Sequence, residues 1–441
     1  MLKRATLVAL ASALLACSDP AAVPTPAEIA ALAETILTEP LPAPLEGEVA
    51  LTEAKGEPAL RRGFERELEA LPGWSGLAIV LRSGRHRLEA LPALIDRPDL
   101  LACDGSRCRL AAPLVVAAGA TLVVDGIELR LVQEAGALIT AYGGLFISDS
   151  ELLGWGETAG APAETDARGA AFRPWITGLE DNRTVIRRSR LAHLGYQGTS
   201  TFGLAFTHGG RDPDEGGPRV SVVGNTIQDL YFGFFSFGAV GVEVIQNEIT
   251  DSHVYGVDPH DATRDLLIAE NTVTGTRRSH GIILSREIHD AVVVGNESSG
   301  NAGAGLFVDK GSFDVTFARN RSVANGKDGI VVYESRDIRI VANELLGNGR
   351  AGVRVRASAD VEVESNAIRH NAGPGILVYD WSHAAREPDE EDRSHLLPTS
   401  VALATNSLAG NAGGDCSIQG SVELRQPADG TGGCRARATP Q

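Results

Sequence analysis

The stretch Val254-Tyr-Gly-Val-Asp-Pro-His-Asp261 sets two carboxylates and an imidazole around a proline. It interrupts a repeat in which a glycine is followed by an apolar residue: Gly256-Val, Gly281-Ile, Gly305-Leu, Gly329-Ile, Gly352-Val and Gly375-Ile. After the later glycines the residues read as plain strands, IILSR, LFVDK, IVVYE, VRVRA and ILVYD, whereas after Gly256 they read VDPHD. Proline removes a ladder donor and is normally kept out of strand interiors. A pattern that gives up pairing and gains ionisable groups marks a place for chemistry.

Side chains alternate faces along a strand, so counting from each repeat glycine separates core from surface. One and three residues on, the positions are apolar, as in Val257, Ile282 and Leu306, or Leu284, Val308 and Val332; Pro259 occupies one of them. Two, four and five residues on come Asp258, His260 and Asp261, then Ser285 and Arg286, then Phe307, Asp309 and Lys310, then Tyr333 and Glu334, then Arg354 and Arg356. This register sets Arg286 about one strand spacing, ~4.8 Å, from the Asp258/His260 pair. Tyr255 precedes the strand and His280 holds its equivalent position one repeat on; His253 and Arg278 share another register.

Rings suit the apolar faces of sugars, and arginine and lysine suit carboxylates. The strip therefore fits an extended acidic polysaccharide. Next to the carboxylate of a uronic acid lies the C5 proton, too weakly acidic to remove unaided. A guanidinium on that carboxylate lets charge build there as an enolate-like intermediate, and a neutral imidazole can take the proton. Return of a proton from the opposite face inverts C5; expulsion of the C4 oxygen instead cuts the chain. A third reading is a β-helix that binds a polyanionic glycan without chemistry.

The elements that would hold this strip follow from the repeat. Asn recurs at 225, 247, 271, 296, 320, 343 and 366, spaced 22 to 25 residues, and a 40-residue gap leads to Asn406. Short strands, frequent Gly and an Asn at one turn predict an all-β chain, a right-handed parallel β-helix with coils of about 23 residues. The Asn residues form an internal ladder in this reading, with a structural role. An α-solenoid fits the period but not the β-branched content. Residues 76–441 form the β-helix and its C-terminal cap, residues 18–75 a tether with short helices over 27–38 and 57–71, and residues 1–17 a signal peptide.

Lys3-Arg4, an apolar run and Leu14-Leu-Ala-Cys17 make up that signal. Small residues before a lone Cys resemble the lipobox of bacterial lipoproteins, in which Cys17 would carry lipid; the alternative is an ordinary signal peptide cut nearby. Ser18 after the Cys implies the outer membrane by that resemblance, so the expected location is the periplasm, lipid-anchored to the outer membrane, or the cell surface. Local disulfides Cys103–Cys108 and Cys416–Cys434 suit an oxidising compartment. The formal charge of −17 disfavours nucleic acid. Part of it lies in Glu387-Pro-Asp-Glu-Glu-Asp392, which reads as a solvated loop.

YGVDPHD (255–261) resembles a motif of mannuronan C5-epimerases, and DSHVYGVDPHDATRDLLIAENTVTGTRRSHGIILSRE (251–287) is similar to the periplasmic alginate epimerases. The similarity extends from about Gly76 to Tyr379 and includes FRPW (172–175). The resemblance implies that His260 is the base, Arg286 neutralises the substrate carboxylate, Asp258 supports them and Tyr255, by analogy with the secreted branch, is the acid. Asp261, His253, Arg278, His280, Lys310, Tyr333, Arg354 and Arg356 are candidate substrate contacts, the alternative being structural ion pairing for His253 and Arg278 and ordinary surface for Arg354 and Arg356. The calcium-binding repeats of the secreted branch have no counterpart in the sequence, so no metal or other cofactor is expected. The implied partners are an alginate-like polyuronate and a polysaccharide secretion complex. The lipobox and the disulfide-closed C-terminus depart from the periplasmic branch.

Overall fold

The coils are held open at their corners by asparagine. In residues 254–441 the Nδ2 of Asn296 donates to Oδ1 of Asn320 at 3.0 Å, that of Asn320 to Asn343 at 3.0 Å, and that of Asn343 to Asn366 at 3.0 Å. Each amide also donates to a strand carbonyl, as Asn320 does to Val293 at 2.8 Å. The 40-residue gap does not break the ladder: Asn366 donates to Asn406 at 3.0 Å. A second ladder, not anticipated from the sequence, runs five residues further on through Asn301, Asn325, Asn348, Asn371 and Asn411, with Nδ2 to Oδ1 distances of 2.9, 3.0, 2.9 and 2.9 Å. Buried backbone groups at a turn must find partners, and an amide supplies a donor and an acceptor to both neighbouring coils.

The computed structural model of the chain describes residues 23–57, 60, 68–198, 200–209, 216–384, 395–426 and 434. The signal segment with Cys17, most of the helix expected over 57–71 and the acidic run 387–392 lie outside the described residues. The chain divides into two compact units, residues 31–253 and residues 254–441 with 1–30. Each is built of parallel strands on three faces, one strand per face and coil.

The helix expected over 27–38 is present as Pro26–Thr38, and its residues from Ala31 on belong to the first unit. Arg187 and Arg188 donate to the carbonyls of Ile36 (2.7 Å) and Leu37 within that helix. Val49–Glu53 lies inside the segment read as tether and helices, yet it is a strand, paired antiparallel with Leu77–Leu81. It covers backbone of the first parallel strand that would otherwise stand open. Cys103 and Cys108 bridge a hairpin of Leu101–Asp104 and Arg107–Leu110. Ser150 and Ser189 extend the corner ladder to Asn225 and Asn247.

In the second unit the face that carries the site consists of Tyr255–His260, Ile282–Ser285, Leu306–Asp309, Ile330–Tyr333, Val353–Arg356, Ile376–Tyr379 and Cys416–Gln419. The pairing is in the register counted from the glycines: Val257↔Ile282, Ile283↔Phe307, Tyr333↔Arg356 and Arg356↔Tyr379. The predicted core residues Val257, Ile282, Leu284, Leu306 and Val308 are fully buried. Cys416 and Cys434 are bonded.

Because Asn320 makes bonds to two neighbouring coils, Asn320→Ala strands amide and carbonyl partners in both. A loss of about 2–4 kcal/mol is expected, read as a lower urea midpoint with an unchanged slope.

Candidate functional site

At each corner before the site face stands a glycine. A Cβ on Gly256 would sit 2.3 Å from the Val273 side chain and 2.5 Å from the Gly281 carbonyl oxygen, so no larger residue fits. Gly256 thus faces the interior, and Val257 after it is buried as well. Tyr255, on the other side of this corner, is partly exposed and stacks on His280, with ring centroids 5.9 Å apart and 6° between planes.

The strand does not break at Pro259, although a proline is normally kept out of strand interiors. Val257↔Ile282 and His260↔Ser285 pair with one offset, so Tyr255–His260 is a single straight strand. Pro259 falls between the bonded positions, where a missing donor is tolerated. Tyr255 and His260 therefore lie at opposite ends of the strand, their Cα atoms about 16 Å apart at ~3.3 Å per residue.

At the far end the charged groups gather. His260 Nδ1 is hydrogen-bonded to Asp261 Oδ2. Burial pulls the imidazole pKa down, but the Asp261 bond and the Asp261 charge, joined by Asp258 wherever it is ionised, outweigh it, and the net direction is up. Asp258 is 1% exposed and its Oδ1 has no hydrogen-bond partner. Burial pushes its carboxyl up to about 8, with Asp309 and Asp261 adding to the rise against His260. At neutral pH Asp258 is thus a carboxylic acid with hydrogen-bonding capacity unspent.

Arg286 follows Ser285, the register partner of His260. Asp261 N–H donates to the Ser285 carbonyl at 2.9 Å and Ala262 N–H to the Arg286 carbonyl at 3.1 Å, which sets Arg286 in the coil next to Asp261. Its backbone is left-handed, φ 66°, and its N–H donates to Asp309 Oδ1 at 3.3 Å. Asp309, whose pKa burial raises, was not singled out from the sequence, although the count from Gly305 put it on this face.

The remaining cations divide sharply. Arg354 is bonded to Asp328 at 3.0 Å, and Arg356 to Glu334 at 2.8 Å while lying 3.6 Å over the Tyr333 ring. Both arginines are buried and internally neutralised. Arg286 and Lys310 occupy one turn position in adjacent coils, and neither side chain bonds a carboxylate among the described residues. In the same column the pair is flanked by Asp261 and Glu334, which are engaged by His260 and Arg356.

Alongside runs a row of rings: Tyr255, His280, Phe307 and Tyr333, with successive centroids 5.9, 4.4 and 5.2 Å apart. His280 accepts the Ala304 N–H on Nδ1 at 3.0 Å, and burial, helped by Lys327, drops its pKa to about 3. It is a neutral imidazole whose Nε2 carries the hydrogen. Phe307 was visible in the register count but not named as a contact. Arg278 is exposed. His253 belongs to the first unit, where its Nε2 lies 3.2 Å from Asp229 Oδ1. Asp229 also takes His193 at 2.8 Å and the buried Arg173 at 2.9 Å. Arg173 donates further to the Gly195 and Leu194 carbonyls, which accounts for FRPW as a structural clasp.

Together the site offers an anchored imidazole, a buried protonated carboxyl, an unpaired guanidinium and a ring surface. That set suits removal of a proton next to a carboxylate on a sugar.

Known proteins agree with the fold. The family profile described as right handed beta helix region matches residues 180–322, 214–353 and 271–387. A mannuronan C5-epimerase of Pseudomonas putida is 33% identical over 231 residues, 51% of this chain and 44% of that protein. One of Pseudomonas aeruginosa is 35% identical over 230 residues, 51% of this chain and 42% of that protein. The chain thus spans less than half the length of these relatives. A crystal structure of a threonine-to-asparagine mutant of the periplasmic alginate epimerase AlgG superposes with a TM-score of 0.81 at 26% identity, covering 89% of this chain and 96% of that one.

Folding favours the protonated form of Asp258, since its pKa rises from 3.8 to about 8. Stability from this group is full at low pH and is lost as pH climbs towards the folded value. Asp258→Asn has no proton to lose. Between about pH 5 and about pH 8 the wild type should lose urea resistance relative to Asp258→Asn.

Proposed function

We propose that this chain, a relative of the mannuronan C5-epimerases, is a polysaccharide C5-epimerase that turns β-D-mannuronate into α-L-guluronate residues in an alginate-like polymer. The observation that carries the reading is the pairing, on one face, of an imidazole anchored by Asp261 with an unpaired guanidinium in the next coil.

Arg286 binds the substrate carboxylate. His260 Nε2 takes the C5 proton, and the electron pair moves into the C5–C6 bond. Asp261 holds Nδ1 and strengthens the base, which favours removal of a weakly acidic proton. Asp258, neutral and short of a partner on Oδ1, can donate to the developing enolate oxygen. A proton then returns to C5 on the opposite face, from the Tyr255 hydroxyl or from water, and His260 releases its proton to solvent. Tyr255 reaches the same sugar only if that ring lies along the strand between them. His280 and the rings of Phe307 and Tyr333 offer the polymer a platform, with Arg354, Arg356 and Arg278 beyond.

The Lys3-Arg4 and Leu14-Leu-Ala-Cys17 pattern supports a periplasmic protein held to the outer membrane by lipid on Cys17. Work on a polymer in transit would place it beside a secretion complex.

Incubation with polymannuronate in deuterated water tests the reaction. Proton NMR should show guluronate with deuterium at C5, and His260→Ala and Arg286→Ala should each lose it by about 10²-fold or more. Unsaturated chain ends would assign a lyase; binding without exchange would assign a glycan-binding protein. The base must be neutral, so kcat/KM should rise with pH through a limb above the ordinary histidine value of 6.5, because the His260 pKa is raised. Asp261→Asn removes a cause of that rise and should move the limb to lower pH. Ionisation of Asp258 should bring activity down again near pH 8.

A further inference from the structure

Removal of C5–H from a uronate that is already ionised gives an enediolate with two negative charges on the former carboxylate. One guanidinium offsets one of them. The buried carboxyl of Asp258 adds no charge when protonated, and Asp261 is spent on His260. A second cation is needed at the carboxylate, and it must be one not already neutralised within the protein.

Lys310 meets that condition. Ser285 pairs with Asp309, so Lys310 is the residue next to Arg286 in the adjoining coil, about one strand spacing away at ~4.8 Å. Both have left-handed backbones, φ 66° and 50°, at the same turn. Two like charges directly opposed across strands repel. The neighbouring carboxylates could relieve this but are committed: Glu334 to Arg356, and Asp309 to the Arg286 N–H. Arg354 and Arg356, both three coils further from His260 than Arg286, each carry a carboxylate of their own. An adjacent pair of cations with no ion pair or side-chain hydrogen bond among the described residues is a site suited to a group carrying more than one negative charge.

We propose that Lys310 is a catalytic residue that binds the same substrate carboxylate as Arg286 and meets the second charge formed on deprotonation. The proposal rests on the epimerase reading. The proton goes from C5 to His260 Nε2, the pair enters the C5–C6 bond, and the two oxygens face Arg286 and Lys310. Reprotonation on the opposite face returns the pair to C5 and restores a singly charged carboxylate.

The test is steady-state epimerisation of polymannuronate by Lys310→Ala, Lys310→Met and Lys310→Arg, with C5 deuterium incorporation as a second readout. Lys310 is half-exposed, so thermal melts of these variants should match the wild type. If the charge acts in the transition state, kcat falls about 10²-fold in Lys310→Ala and Lys310→Met with KM within about threefold, and Lys310→Arg recovers much of it. A rise in KM with kcat unchanged makes Lys310 a ground-state contact and overturns the proposal, as does wild-type kinetics. Failure of the wild type to exchange C5–H at all would instead reject the epimerase reading.

Discussion

Everything in this protein depends on parallel strands stacked in fixed register. Once two coils pair, the distance from any side chain to its equivalent in the next coil is set at about 4.8 Å. A catalytic group and its helper need not be brought together by a loop: they need only the same count from successive glycines. His260 and Ser285, or Asp261 and Arg286, are neighbours for that reason alone. The two asparagine ladders make the register costly to slip, since a shift of one residue would leave buried amides without partners on both sides.

The same regularity made much of the fold legible. Repeat glycines and asparagines gave period, face and register, and the 40-residue excursion after Asn366 returned to the ladder at Asn406. The second ladder was equally legible, five residues after each member of the first, but the apolar pattern drew attention elsewhere. What could not be read was non-local or energetic. Val49–Glu53 is a short strand whose only distinction is its antiparallel partner Leu77–Leu81. Straightness at Pro259 depends on which positions of the strand are bonded, and proline reads as a break until that is known.

Site chemistry was legible as residue types but not as charge states. Asp258 and Asp261 look alike in VDPHD, yet one is an almost fully buried acid and the other bonds the imidazole. Arg286, Arg354 and Arg356 likewise read as one basic strip. Burial divides them, because a buried guanidinium without a carboxylate is too costly to keep. Asp328 and Glu334 supply the carboxylates to the two buried arginines, and exposure lets Arg286 stay unpaired.

A net charge of −17 repels a polyanion at long range, so the proposed recognition of a polyuronate cannot come from the field of the whole molecule. It must come from contacts made after approach, inside the screening distance of roughly 8–10 Å. On the proposed reading, Arg286 and Lys310 would meet that demand, while Arg354 and Arg356 further along the face are neutralised. A continuous basic strip would hold each polymer carboxylate equally and bind substrate and product alike. Arg354 neutralised by Asp328, and Arg356 neutralised by Glu334 and stacked on Tyr333, would on that reading leave a surface that a polymer can slide over. On the proposed reading, a carboxylate beside His260 would meet Arg286 and Lys310, neither of them in an ion pair among the described residues, and charge placed there would stabilise the deprotonated sugar rather than merely hold the chain.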